Sequence, residues 1–243
     1  MRANKLQSFF IILKSLAATL WISIEVIYKV HSGAETREKC DRRLRWWSAA
    51  LLKNLKLSYS AHNLHRVNYQ PGKPYMIMSN HSSLCDIPLI FVTMPGSIRM
   101  LTKKELFDVP IWGRGMQEGE FISIDRDNRR QAIKDLQRAQ KKMESGIILW
   151  VAPEGTRSRT GELGSFKKGG FMVAIRTGAT IIPVGIRGAF DVLPPKTLDF
   201  QLGEHAEVHI GEPIDASTFT NKTLGQLMEQ VEQSIRHLAG LPN

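Results

Sequence analysis

Cysteine is nearly absent from this chain of 243 residues: only Cys40 and Cys85 occur. They sit in unrelated surroundings without metal-type spacing, which excludes a disulfide framework and fits a reducing compartment. Internal repeats, low-complexity tracts, recognised nucleic-acid-binding motifs and the G-x-S-x-G stretch of a serine nucleophile elbow are also missing. Ser83 therefore lacks the setting of a hydrolase nucleophile, and no nucleic-acid partner is expected. Acidic residues are in short supply, 23 Asp and Glu against 33 Lys and Arg, for a net charge of +10. With 42% hydrophobic residues, the chain suits one sizeable core rather than disorder.

The positive surplus is concentrated at one end. Residues 1–60 carry eleven Lys and Arg against four acids, +7 of the total. Within that arm "FFIILKSLAATLWISIEVIYKV", residues 9–30, is apolar and long enough to meet a bilayer. Lys14 interrupts the apolar run and no small-x-small cleavage site follows, so the segment is expected to stay attached. Lys14 and Glu25 lie roughly 16 Å apart along a helix and return to nearly the same face, with Gln7 and Lys29 aligned. One polar stripe on an apolar helix suits a helix lying in the membrane interface or docking that stripe on another helix; a span rescued by snorkelling is the alternative. The next segment, residues 34–57, sets Trp46, Trp47, Leu51, Leu52 and Leu55 against Arg37, Arg42, Arg43 and Arg45, a headgroup-layer composition. An ordinary surface helix with a solvated basic face is the competing reading.

After residue 60 short apolar runs alternate with helical stretches. The pattern predicts an α/β fold, a mixed, partly parallel sheet flanked by helices, with the N-terminal helical pair associated with membrane. We expect a membrane-association unit over 1–60 and a catalytic unit over 61–243. Strands are expected at 75–79, 98–102, 120–124, 146–152, 180–186 and 206–210. Residues 128–145 read as a helix with Ile133, Leu136 and Met143 facing inward and Gly146 as its stop. Residues 222–239 read as another, with Leu224, Leu227, Met228, Val231, Ile235 and Leu238 on one face. "HAEVHI" reads as a strand, where His205 and His209 would hold their rings about 13 Å apart; they are taken as sheet residues, and no metal is expected.

Three polar clusters follow predicted strands, at the position where α/β folds place ligands. The first, "NHSSLCDIP" (80–88), holds His81 and Asp86 five residues apart. A continuous helix would point them about 140° from each other, so their pairing needs a turn that curls back, which Ser82, Ser83 and Pro88 permit. A carboxylate on one ring nitrogen would fix the imidazole tautomer and leave the other nitrogen as a general base, with Asn80 bracing the turn. The second cluster carries Arg126, Arg129 and Arg130. The third, "WVAPEGTRSRTGELGSFKKGG", carries Arg157, Arg159, Lys167 and Lys168, with backbone N–H groups at Gly155 and Thr156 as candidate anion donors.

On these residues the chain resembles the glycerolipid acyltransferase family, whose best-known members are 1-acylglycerol-3-phosphate acyltransferases. The likeness covers about residues 75–190. Asn80, His81 and Asp86 match the N-H-x4-D motif, "SIDRDNR" a second with Arg126, "PEGTRS" (153–158) a third and "IIPVGI" with Pro183 a fourth. Lys103, in "LTKKELFDVPIWG", matches a lysine that helps hold the substrate phosphate. Ala152 stands where the family often has an aromatic residue, and Cys85 occupies a variable position; neither removes a group the chemistry needs.

The resemblance implies transfer of an acyl group from acyl-CoA or an acyl carrier protein to the 2-hydroxyl of 1-acylglycerol 3-phosphate (lysophosphatidate), forming phosphatidate in phospholipid biosynthesis. It implies no cofactor, because a thioester is already activated. His81 would be the base and Asp86 its partner; Arg157, Arg126 and Lys103 would hold the phosphate, and Glu154 would brace the loop. It implies an inner (plasma) membrane location with the catalytic part on the cytoplasmic side, and membrane lipids as partners. Acyl transfer to another lysophospholipid, lyso-ornithine lipid or glycerol 3-phosphate is the near alternative. A non-enzymatic protein that binds anionic lipid at the membrane surface is the distant one, and it leaves "NHSSLCDIP" unexplained. Cys85 as a nucleophile would imply a ping-pong route; a small buried thiol is the plainer reading.

Overall fold

The computed structural model describes residues 1–125 and 128–242. The apolar segment and its basic successor form two long helices, α1 (Lys5–His31) and α2 (Arg37–Asn54). Asn4 and Gln7 cap α1 reciprocally, and Thr36 accepts from Lys39 N–H at the start of α2, so each helix begins with a side chain serving an orphan backbone donor. The remaining strands and helices are β1 (Ser58–His62), β2 (Tyr75–Ser79), α3 (Asp86–Thr93), β3 (Ile98–Lys103), α4 (Trp112–Glu118), β4 (Ile122–Ile124), α5 (Arg129–Glu144), β5 (Ile148–Val151), α6 (Lys168–Thr177), β6 (Thr180–Arg187), α7 (Ala189–Val192), β7 (His205–Ile210), β8 (Ile214–Asp215) and α8 (Leu224–Leu238).

Among the described residues these strands form one sheet in the order β1-β7-β6-β2-β5-β3-β4, with β8 beside β6. All neighbours are parallel except β7 and β8, which run antiparallel to β6. Helices cover both faces. In β2 Tyr75 and Ile77 join the layer packed by α1, α2 and α3, whereas Met76 and Met78 join the layer packed by α5, α6 and α8. A strand buried on both faces has no polar side to alternate with, which is why "YMIMS" reads as a continuous apolar run. The mixed, partly parallel sheet flanked by helices is thus found as expected.

Helix α1 places Ile11, Ile22 and Val26, and α2 places Cys40, Leu44 and Leu52, in the same core layer as Ile77 and Trp150. The opposite side of α1 exposes Phe9, Phe10, Leu13, Leu16, Leu20, Trp21, Ile24 and Tyr28. A continuous apolar face of this kind marks a surface that meets something other than water. Glu25 from the polar stripe pairs with Arg43 of α2 at 2.9 Å, so the stripe docks on its neighbour at that point. By length and composition α1 is also apolar enough to cross a membrane.

Several local expectations are corrected. Ile133 is 45% exposed; the inward stripe of α5 runs instead through Asp135, Ala139 and Met143, with Leu136 half-buried beside it. A polar residue occupies the inward position because the Asp135 carboxylate accepts the backbone N–H of Asp125 at 2.9 Å. Strand β1 escaped prediction because its residues are polar and mostly exposed at the sheet edge, and β8 because it is only two residues long. The run expected to start at 120 starts at Ile122, since Glu120 is in the left-handed region at φ 66°.

That glutamate also ties three elements together. Arg37 of α2 donates to Glu120 at 2.8 and 3.0 Å, and Lys142 of α5 adds 2.8 Å. The Arg37 bond outweighs the opposing effect of burial and lowers the Glu120 carboxyl to about 2 from an ordinary 4.5. In the acid range the unfolded chain therefore binds the extra proton and stability rises with pH. This contribution is complete above about pH 4.5 and is lost as pH falls toward 2. Glu120→Gln should flatten the stability profile in that window in denaturant titrations at stepped pH; an unchanged slope would remove the network from the account.

Candidate active site

Strands β2 and β5 are parallel neighbours, and β3 lies beside β5 in the same direction. Their C-terminal ends consequently release residues 80, 104 and 152 at one edge of the sheet. The loop after β2 curls back so that His81 Nδ1–H donates to Asp86 Oδ2 at 2.8 Å. Asp86 is fully buried and opens α3. Its Oδ2 also accepts the backbone N–H groups of Ser82 and Ser83, each at 2.8 Å, so three donors on one oxygen hold the turn closed. Asn80 is buried and spans to β6: its Nδ2 donates to Ile186 O at 2.9 Å and its Oδ1 accepts Ile186 N–H at 2.7 Å. The amide is thereby committed to positioning the loop. Ser83 Oγ donates to Leu193 O at 2.9 Å and is buried.

The loop after β5 locks onto the same histidine. Glu154 Oε1 accepts His81 N–H at 2.9 Å and its Oε2 accepts Gly164 N–H at 2.8 Å, while Ser158 N–H donates to His81 O at 2.7 Å. Burial pushes the Glu154 carboxyl above its ordinary value, opposed by those two N–H donors. The backbone of His81 is thus gripped on both sides, and only its ring is left to face outward. Gly155 turns the chain at φ 75°, a conformation that favours glycine. Its N–H donates to Ala152 O at 3.0 Å, which corrects its assignment as an anion donor: the turn itself uses that hydrogen.

His81, Lys103, Glu154, Gly155, Thr156 and Arg157 line one cavity of about 850 Å³. Lys167 joins them, whereas Asn80 and Asp86 stand behind the wall. Lys103 is more than half exposed, with Nζ 3.4 Å from Glu105, and is free to reorient. Arg126 lies outside the described residues. Trp150, which sequence reading used only as a strand residue, stands edge-on to His81 at 6.1 Å between ring centroids and donates to Ser79 Oγ at 3.0 Å.

The far walls of the cavity were not foreseen. Ile22 and Val26 of α1, Leu44 of α2, Phe91 of α3, Met100 of β3 and Phe121 add apolar side chains to the lining. Gly115 of α4 lets that helix approach α1 closely: a Cβ there would sit 2.7 Å from Ser23 Cβ. The amphipathic pattern of α1 and α2 shows that each has a face to bury, but nothing in it names the partner. Cys85 is buried, which drives its thiol up to about 12. It is absent from the cavity lining and stays protonated at neutral pH, unlike a nucleophilic thiolate.

Residues 60–187, more than half of the chain, match a family model described as Acyltransferase. A chloroplastic 1-acyl-sn-glycerol-3-phosphate acyltransferase of Arabidopsis thaliana is 27% identical over 212 residues, 86% of this chain and 59% of that protein. The 1-acyl-sn-glycerol-3-phosphate acyltransferase of Saccharomyces cerevisiae is 33% identical over 166 residues, 67% of this chain and 54% of that protein. The human alpha form is 28% identical over 169 residues, 69% and 59% of the two chains. The chain spans a little over half the length of these relatives. A crystal structure of a 1-acyl-sn-glycerophosphate (LPA) acyltransferase from Thermotoga maritima superposes with a TM-score of 0.82 at 23% identity, covering 98% of this chain and 95% of that one; the two share a fold. With a family model matched over more than half of the chain and a relative 33% identical over two thirds of it, the chain belongs to the acyltransferase family.

Proposed function

We propose that the protein transfers an acyl group from acyl-CoA or an acyl carrier protein to the 2-hydroxyl of 1-acylglycerol 3-phosphate, forming phosphatidate in phospholipid biosynthesis. The observation that carries this reading is the shared cavity, lined by His81, which Asp86 backs from behind the wall, by Arg157, and by apolar side chains from α1, α2 and α3. His81 Nε2 removes the hydroxyl proton as the oxygen attacks the thioester carbonyl. The C–O bond forms, the C–S bond breaks, and the proton passes from the imidazolium to the departing thiolate. Asp86 holds the tautomer that presents Nε2 as the base and stabilises the transient imidazolium. Arg157, Lys103 and Arg126 hold the phosphate, Thr156 extends that lining, and Asn80, Glu154 and Gly155 fix the loops that carry them. No cofactor or covalent enzyme intermediate is needed, and the inert Cys85 agrees with direct transfer.

Residues 1–60 serve as the membrane-association unit and residues 61–243 as the catalytic one. The exposed apolar side of α1 sits in the interface of the inner membrane, with the catalytic part on the cytoplasmic side. There an embedded lysophosphatidate meets the enzyme in two dimensions, and its acyl chain finds the apolar lining of the cavity. A panel of acceptors tests the reading, with thiol release from acyl-CoA and from acyl carrier protein as the readout. Lysophosphatidate should give the largest kcat/KM, ahead of lyso-ornithine lipid, other lysophospholipids and glycerol 3-phosphate. Release independent of any acceptor would point to hydrolysis and overturn it.

A further inference from the structure

The edge of the sheet farthest from β4 carries a cluster that acyl transfer does not use. Strands β1 and β7 pair in parallel with Ser60 opposite Glu207 and His62 opposite His209. Ala206, Val208 and Ile210 point into the core, so the intervening residues of β7, His205, Glu207 and His209, share the outer face with Ser60 and His62. The imidazoles of His62 and His209 stack at 4.4 Å with their planes 13° apart. Glu207 addresses both: Oε2 lies 2.8 Å from His209 Nε2 and Oε1 lies 4.0 Å from His62 Nε2. The ligand atoms of the three residues all fall within 4.8 Å of one another. Sequence spacing had directed attention to His205 and His209 on a single strand; the partner of His209 is instead the residue across the ladder. His62 Nε2 is bonded to Ser60 Oγ at 3.0 Å, a contact that a bound ion would displace. Both ring nitrogens of His205 are taken by serine hydroxyls, Nδ1 by Ser58 at 2.9 Å and Nε2 by Ser60 at 3.1 Å, and His205 stays outside the set.

We propose that His62, Glu207 and His209 bind a divalent transition-metal ion of the zinc class. Two imidazole nitrogens and one carboxylate oxygen are borderline donors that suit Zn²⁺, whereas Mg²⁺ and Ca²⁺ favour all-oxygen shells. Metal–ligand bonds of about 2.0–2.2 Å require the three atoms to draw together around the ion. His62 and Glu207 are 44% and 37% exposed, which leaves their side chains room to rotate. The ion would take the place of the direct His209–Glu207 contact and leave a coordination position to water. None of the three residues lines the cavity that holds His81, so the ion takes no direct part in acyl transfer. Among the described residues β1 pairs with β7 alone, and it follows α2 after a short turn. A metal bridging the two strands would fasten the end of the helical arm to the sheet.

The test is calorimetric titration of Zn²⁺ into the full chain in detergent micelles, with Co²⁺ absorption as a second probe. One equivalent of Zn²⁺ should bind, Co²⁺ should give the intense visible bands of a four-coordinate nitrogen–oxygen site, and thermal unfolding should move upward with Zn²⁺. His62→Ala and His209→Ala should each weaken binding by at least about 100-fold, and Glu207→Gln, of nearly the same shape, should do likewise should either histidine variant fail to fold. His31→Ala, on α1, should leave the affinity unchanged. Absence of Zn²⁺ binding by the unaltered protein, or unchanged affinity in the His62→Ala/His209→Ala double variant, would overturn the assignment.

Discussion

His81→Ala should reduce thiol release with lysophosphatidate by about 10²–10⁴-fold, the usual worth of a positioned general base and roughly 3–5 kcal/mol of barrier. The fold should survive. The His81 backbone stays held by Glu154 and Ser158 whatever the side chain, and Asp86 Oδ2 keeps the N–H groups of Ser82 and Ser83 after the imidazole is gone. Binding to anionic vesicles should also persist, because α1 and α2 form the proposed membrane-association unit. The pair of results separates an acyltransferase from a lipid-binding surface protein, which would lose neither property. Cys85→Ala is the internal control: the buried thiol lies outside the cavity, so substantial activity should remain. Abolition there in a folded protein, or retention of most activity in His81→Ala, would mean that the nucleophilic step has been assigned to the wrong residue.

The largest stability effect is expected at Arg99, whose side chain is fully buried in β3. It pairs with Asp41 of α2 at 2.6 Å, donates to Ile98 O at 2.7 Å and to Gly119 O, and lies 5.8 Å from the centroid of the Phe121 ring. Ser97 Oγ holds the other Asp41 oxygen at 2.5 Å. Arg99→Ala leaves a largely buried carboxylate without its cation, a change that typically costs about 3–5 kcal/mol against a total stability of about 5–15 kcal/mol. The denaturant midpoint should fall accordingly at constant slope. Adding Asp41→Ala should recover part of the loss, since the penalty lies in the stranded charge and the two sites are coupled. A single-variant loss below about 1 kcal/mol, the level of an exposed pair, would show that this pair does not fasten α2 to the sheet.

Much of the fold was legible in the chain because burial leaves a period in the sequence. Strands β2 and β6 lie in the middle of the sheet, and their uninterrupted apolar runs gave their extents almost to the residue. Helix α8 announced itself through Leu227, Val231, Ile235 and Leu238. Polar edge strands such as β1 carry no such signal, and a helix that turns an aspartate inward, as α5 does with Asp135, reverses it. At the site, residue chemistry singled out His81, Asp86 and Arg157, and the family resemblance added Lys103. By these signals Asn80 and Glu154 read as braces of their loops but stay among the substrate-binding candidates. Asn80, Glu154 and the N–H of Gly155 have chemistry suited to ligands, yet their hydrogen bonds go to Ile186, to His81 and Gly164, and to Ala152.

By itself the sequence determined which segments are strand or helix, where polar loops interrupt them, and which proton-transfer and anion-binding groups those loops carry, since these follow from local periodicity and side-chain chemistry. Tertiary structure alone decided their company. The order in the sheet is not the order in the chain, so parallel pairing of β2 with β5 brings Glu154 to His81, 73 positions away in the sequence. Packing of α1, α2 and α4 likewise made the N-terminal helical pair part of the wall of the cavity, because a helix face records only that it must be buried and never against what.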